Sequence, residues 1–198
     1  LLAGTLSEPA ERTLLEALAG AGTQAAQQAL GHLITSAEVA ESLRDRALMA
    51  ATMLHGADAA FVARLLEADT GDASRRSATA VALGAVARDL AHEQPERARA
   101  LAATLVANAQ AALAPGQAGL ARAQAALGPD QAAQAPGQAG AVAPTLMDAC
   151  NWLAALGNTG DPQALPAILQ ALADPREDVR VAAAHALRFQ DPAATGEP

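Results

Sequence analysis

Asp161 to Pro192 reads DPQALPAILQALADPREDVRVAAAHALRFQDP. Two helices and their bounding turns are written in it. The Asp161 carboxylate suits an N-cap, where it accepts a bond from an unpaired first-turn N–H. Pro162 suits the first helical position, where its missing N–H costs nothing. Leu165, Ile168, Leu169 and Leu172 recur at helical spacing and predict one apolar face. Asp174-Pro175 breaks the chain. A second helix is predicted over Arg176 to Phe189, with Val179, Ala183, Ala186 and Leu187 turned inward and Arg180 one turn past the break. Asp191-Pro192 then repeats the signal that Asp161-Pro162 gave.

Upstream, Arg76 to Leu83 (RSATAVAL) has the spacing of Arg180 to Leu187 (RVAAAHAL), and Arg46 to Met53 (RALMAATM) fits the same frame less closely. Hairpins that recur in this way bury their faces against one another and build a solenoid. Asp161, Pro162, Asp174, Pro175, Val179, Arg180, Ala183 and Leu187 are the structural positions of the repeat. With its Asp-Pro openings, Val179-Arg180 and the alanine-rich helix ending Ala186-Leu187, the stretch resembles a HEAT repeat and the related bilin-lyase-type HEAT repeats. That resemblance implies an armadillo-like superhelix acting as a scaffold, or an accessory or lyase-type relative. It also implies that Arg180 bonds turn carboxylates of neighbouring units. Cys150 to Leu187, through Leu156-Gly157-Asn158-Thr159-Gly160 to Ala186-Leu187-Arg188, is similar to the helical domain of the large lipid transfer proteins, the vitellogenin group. This second resemblance implies a helical module of a lipid-transport protein, although the lipid-enclosing β-sheet region of that group has no counterpart in the sequence.

Composition points the same way. Of 198 residues, 58 are alanine, the strongest helix former, while aromatic residues make up 2%. Small side chains let helix axes approach closely. The net charge of -8 repels phosphate backbones and disfavours nucleic acid. No apolar run is long enough to predict a membrane span.

The remaining elements follow from caps and breaks. Ser7 and Pro9 open a helix with Leu14, Leu15 and Leu18 on one face, ended by Gly20 and Gly22. Thr23 to Ile34 is a second helix. Ser36 is read as the cap of a long third one ending at Gly56, and Asp58 opens a fourth. Thr70-Gly71-Asp72 is a turn before a helix from Ala73 to Ala91. Pro95 opens another through Leu101, Leu105 and Leu113. From 114 to 144 the Ala/Gln/Gly/Pro texture, with its echo of Pro115-Gly116-Gln117-Ala118-Gly119 in Pro136-Gly137-Gln138-Ala139-Gly140, predicts a flexible low-complexity insertion. Leu146 to Leu156 is a helix stopped by Gly157-Asn158-Thr159-Gly160. Residues 1–198 thus form one all-α domain of eight to ten helices. The opening Leu1-Leu2-Ala3-Gly4 and the linker-like end from Ala194 to Pro198 are read as the edges of a segment cut from a longer chain.

Little in the sequence carries chemistry. His32, His55, His92 and His185 stand singly and make no metal-binding pair. Cys150 has no nearby histidine and reads as a buried, alanine-like thiol. Arg97 and Arg99, with Glu93 and Glu96, read as a solvated, ion-paired face. The expectation is a protein that is not an enzyme and carries no catalytic, cofactor or metal site. Its partner is expected to be another protein or neighbouring domains of its own chain, with lipid a less favoured ligand.

Overall fold

The computed structural model describes residues 7–68, 73–126 and 146–190. Among them are nine α-helices, one short 3-10 turn and no strand, so the described chain is all-α. The helices are α1 (Glu8–Ala21), α2 (Gln24–Thr35), α3 (Glu41–Ala51), α4 (Ala59–Ala68), α5 (Ala73–Glu93), α6 (Pro95–Ala126), α7 (Leu146–Thr159), α8 (Leu165–Ala171) and α9 (Glu177–Leu187); the 3-10 turn is Pro162–Ala164. Among the described residues no helix is long and apolar enough to cross a membrane.

Local chemistry sets most boundaries. Gly22, Gly56 and Gly160 take positive φ of 59°, 65° and 63°, a conformation that opposes a Cβ, and each turns the chain after a helical segment. The Thr23 hydroxyl accepts from the Ala26 N–H at 3.3 Å, and the Asp58 carboxylate accepts from the Phe61 N–H at 2.7 Å, capping α2 and α4. Several of the expected boundaries move: Gly20 lies inside α1, and α3 stops at Ala51, short of Gly56. Ser36 closes α2, its N–H donating to the His32 carbonyl, and α3 begins only at Glu41. Serine tolerates either end of a helix, and here the preceding carbonyl takes its N–H. Gly157 lies inside α7, which runs on to Thr159. Helix α6 continues past Ala114 to Ala126, because alanine-rich sequence on both sides of Pro115 favours helix. The predicted insertion therefore overlaps the end of α6; its remainder, like the turn at Thr70-Gly71-Asp72, lies outside the described residues. Finally, the 3-10 turn after Asp161 rotates the next face. Ala164, Ala167, Ile168 and Ala171 are buried, Leu165 and Leu172 are half-buried, and Leu169 is exposed.

The helices pack in two sets. Along the chain α1 packs on α3, α3 on α5, α5 on α7 and α7 on α9; α2 packs on α4 and α6 on α8. The odd-numbered set carries one burial frame. Ala47, Ala50 and Leu54 of α3 and its following turn correspond to Thr79, Ala82 and Val86 of α5. These in turn correspond to Trp152, Ala155 and Thr159 of α7, and to Ala183, Ala186 and Gln190 of α9 and its following turn; all twelve are buried. This frame pairs Arg44, rather than Arg46, with Arg76, so α3 sits two residues out of the register expected for Arg46 to Met53.

Glycine sets the closest approaches within that set. A Cβ on Gly84 would lie 2.5 Å from the Ala155 carbonyl oxygen. One on Gly157 would lie 2.7 Å from the Ala186 Cα and 2.9 Å from its carbonyl oxygen. Both contacts join the same two positions of the frame, one helix pair apart. No flexible side chain can move aside, because the neighbours are backbone. Gly84→Ala and Gly157→Ala are therefore expected to cost about 1–3 kcal/mol through forced helix separation, against a helix-propensity gain of about 1 kcal/mol. Gly20→Ala, with nothing within 4 Å of its new methyl, should instead stabilise. Urea unfolding of the three variants checks this, and equal midpoints for Gly20→Ala and Gly157→Ala would refute the contact.

Candidate functional site

The residues singled out in the sequence spread along the last hairpin: Asp161 and Pro162 before α8, Asp174 and Pro175 in the turn between α8 and α9, and Val179, Arg180, Ala183 and Leu187 along α9. Asp161 accepts from the Gln163 N–H at 2.8 Å and caps the 3-10 turn that Pro162 begins. Asp174 is buried, and its carboxylate is held by Arg176: the backbone N–H donates at 2.9 Å, Nε at 2.8 Å and Nη2 at 3.0 Å. Pro175 is exposed at the turn. Arg180 reaches back along the first turn of α9 and donates from Nη1 to the carbonyl oxygens of Asp174 and Pro175, both at 2.9 Å. Arg180 thus bonds the turn backbone of its own hairpin, and the adjacent Arg176 takes the carboxylate. Val179 and Ala183 are buried and Leu187 is half-buried against the core. Burial pushes the Asp174 carboxyl up, but the Arg176 hydrogen bonds and the charges of Arg176 and Arg180 outweigh it and hold the group below its ordinary range.

Cys150 is half-buried and free. Burial pushes its thiol up, as does the charge of Asp178, against the opposing pull of Arg176, so the thiolate is disfavoured. His55 Nδ1 lies 2.7 Å from the Asp89 carboxylate, whose other oxygen accepts from the Gly56 N–H at 2.7 Å. His32, His92 and His185 are exposed. No group of three metal-ligating side chains occurs among the described residues.

Three polar groups important to the fold carry weak sequence signals. Gln27 is buried and clamps two turns: its Nε2 donates to the Gly22 and Gly56 carbonyls at 2.8 and 3.1 Å, and its Oε1 accepts from the Asp58 N–H at 2.8 Å. Asp148, buried in α7, takes Nε of Arg76 at 2.8 Å and Nη2 at 3.3 Å, tying α7 to α5. Arg97 leaves the solvated face expected for it. It donates to the Gln94 side chain and, at 3.3 Å, to the Ala57 carbonyl, while Arg99 alone pairs with Glu96 at 2.7 Å. A glutamine or aspartate falling on an otherwise apolar stripe was the available signal for the first two.

Among the pockets of the described surface are two open grooves. One, about 290 Å³, runs between α1 and α3, lined by Arg12, Leu15, Arg46, Met49, Ala50 and Met53. Arg46 is held there by Glu8 and Glu11. The other, about 230 Å³, opens between α4 and α6. All three methionines of the chain are more than half exposed: Met49 at 55%, Met53 at 53% and Met147 at 57%. The core is instead filled with leucine and alanine. No protein-family model matches the chain, and no curated protein matches it.

Arg180→Ala is expected to lower stability by about 1–2 kcal/mol at neutral pH, the worth of a charge-assisted bond to the turn. Asp174, with its folded pKa held below the ordinary value, contributes stability that is full above the unfolded pKa and is lost as pH falls through the folded one. Asp174→Asn should thus melt earlier at pH 7 and decline less steeply than the native chain below about pH 4. Thermal melts across that range measure both effects; parallel acid declines would remove Asp174 from the account.

Proposed function

We propose that the chain is a non-catalytic α-solenoid of HEAT-like hairpins that holds a protein partner or neighbouring domains of its own chain. The observation that carries this reading is the recurring contact of the odd-numbered helices. Gly84 on Ala155 and Gly157 on Ala186 are the same contact made twice in one burial frame, as stacking of like units requires. The outward side of this set supplies the binding face. Met49 and Met53 of α3 and its following turn, Val81 and Ala85 of α5, Ala154 of α7, and His185 with Phe189 at the end of α9 occupy matching outward positions, each exposed or half-buried. Methionine suits such a surface, because its flexible thioether adapts to varied partners.

The scaffold reading is preferred to a helical module of a lipid-transport protein because neither groove described above encloses the several hundred Å³ that a whole lipid would fill. Against a lyase-type activity stands the Cys150 thiol, whose nucleophilic thiolate form is disfavoured by burial and by the charge of Asp178. Met53→Glu, Ala154→Glu and Phe189→Glu combined should leave the helical content and melting temperature near native while removing partners that co-purify with the native chain. Partners that persist unchanged on the triple variant would exclude this face. Failure of an inserted second copy of residues 161–190, placed after Gln190, to fold with a proportionate gain in helical ellipticity would exclude stacking by repeats.

A further inference from the structure

The even-numbered helices do not close into one continuous row. Helix α2 packs on α4 and α6 on α8, but α4 and α6 stand apart, and the groove between them is floored by α5. Its lining is Val62 and Leu66 of α4, Leu90 of α5, and Arg97, Leu101 and Thr104 of α6, with alanine filling the remainder. Arg97 is the one charged residue in that lining. It is half-buried, and both of its hydrogen-bond acceptors, the Gln94 side chain and the Ala57 carbonyl, are neutral. The nearest acid along the chain, Glu96, is engaged by Arg99.

A guanidinium has five N–H donors, so donors remain after those two bonds. In a chain of net charge -8, this cation at the mouth of an apolar slot has no carboxylate partner among the described residues. Partial removal from water strengthens its attraction for an anion. Arg97 also lies in the first turn of α6, whose dipole adds positive potential at that end, whereas the start of α4 is already capped by the Asp58 carboxylate. Away from it, the slot offers only hydrocarbon and one hydroxyl. From Arg97 to Thr104 the helix rises about 10 Å at its usual 1.5 Å per residue. The volume of about 230 Å³ suits roughly nine heavy atoms, scaling from the cavity of about 150 Å³ that holds benzene.

We propose that this groove binds a medium-chain aliphatic monocarboxylate, with the carboxylate on Arg97 and the chain laid along Val62, Leu66, Leu90 and Leu101. The site lies between even-numbered helices, away from the proposed partner face, and does not rest on the scaffold reading.

Octanoate is the probe, titrated into the full chain and followed by calorimetry and by side-chain methyl NMR. One molecule should bind with a Kd on the order of 1 mM, as expected for about ten heavy atoms. It should shift the methyl signals of Val62, Leu66, Leu90 and Leu101 and leave Met49 and Met53 unmoved. Uncharged 1-octanol should bind at least fivefold more weakly. Arg97→Gln should weaken octanoate at least fivefold and leave octanol unchanged, and Arg97→Lys should keep part of the affinity. Should Arg97→Gln fail to fold, the contrast of octanoate with octanol on the native chain, together with Arg97→Lys, decides. Equal binding of acid and alcohol, shifts centred on the methionine groove, or no saturable binding would overturn the proposal. So would tighter binding of a short leucine-rich peptide with a free C-terminus, because the occupant would then be a protein chain end. Palmitate outcompeting octanoate at the same residues would likewise overturn the chain-length assignment.

Discussion

Backbone-to-backbone contact between α5 and α7, and again between α7 and α9, is the constraint on which the other packing depends. At Gly84 and Gly157 no side chain stands between helices. The spacing from α5 through α7 to α9 is therefore fixed by main-chain atoms. Ala155 and Ala186 form the other side of these contacts, and Ala82 holds the matching buried place in α5. Leu83, Leu153 and Leu156 then fill the space toward the even-numbered helices, and all are fully buried. A core built this way gains its stability from many small contacts at high packing density rather than from a few bulky anchors. That accounts for a chain rich in alanine with only one tryptophan.

Close helix spacing leaves turns that must be tied from within, because short turns expose backbone groups that water cannot always reach. Gln27 ties the turn after α1 to the turn before α4. Asp89 takes the Gly56 N–H, Arg97 takes the Ala57 carbonyl, and Arg180 takes the two carbonyls of the Asp174-Pro175 turn. Each tie uses a side chain from a helix to satisfy a turn. The ion pair of Arg76 with Asp148 is the more demanding case. A buried carboxylate left without its guanidinium would be costly, so this pair sets the register of α5 against α7 more than it adds net stability.

Much of this was readable from the sequence where a single residue has one dominant use. Asp58 and Asp161 as caps, Gly22 as a left-handed terminator and the inward stripe Val179, Ala183 and Ala186 all rest on chemistry local to a few residues. Ser36 and Gly157 were misassigned because their residue types have two uses. Serine begins or ends a helix according to which neighbour offers a partner, and glycine inside a helix serves close approach as well as termination. The deciding partner of Gly157, the Ala186 backbone, lies a full hairpin away. The matching place of Gly84 inside the alanine-rich helix upstream was the available hint. Arg97 was read as surface for a similar reason: its acceptor at Ala57 is distant in sequence, and no local spacing announces it.

The two sets of helices are unequal for a physical reason that bears on function. Where glycine brings backbones together, as from α5 through α7 to α9, main-chain contact leaves no room for side chains between the helices at those points. Where no glycine pair draws helices together, as between α4 and α6, side chains of moderate size hold the axes apart and leave a slot over α5. Closing that slot would require either larger residues than Ala59 and Ala100 or desolvation of the Arg97 guanidinium against hydrocarbon. The second is unfavourable without an anion to accompany it. The charge at one end of the slot thus opposes its closure, which is also what makes an amphiphilic acid its natural complement.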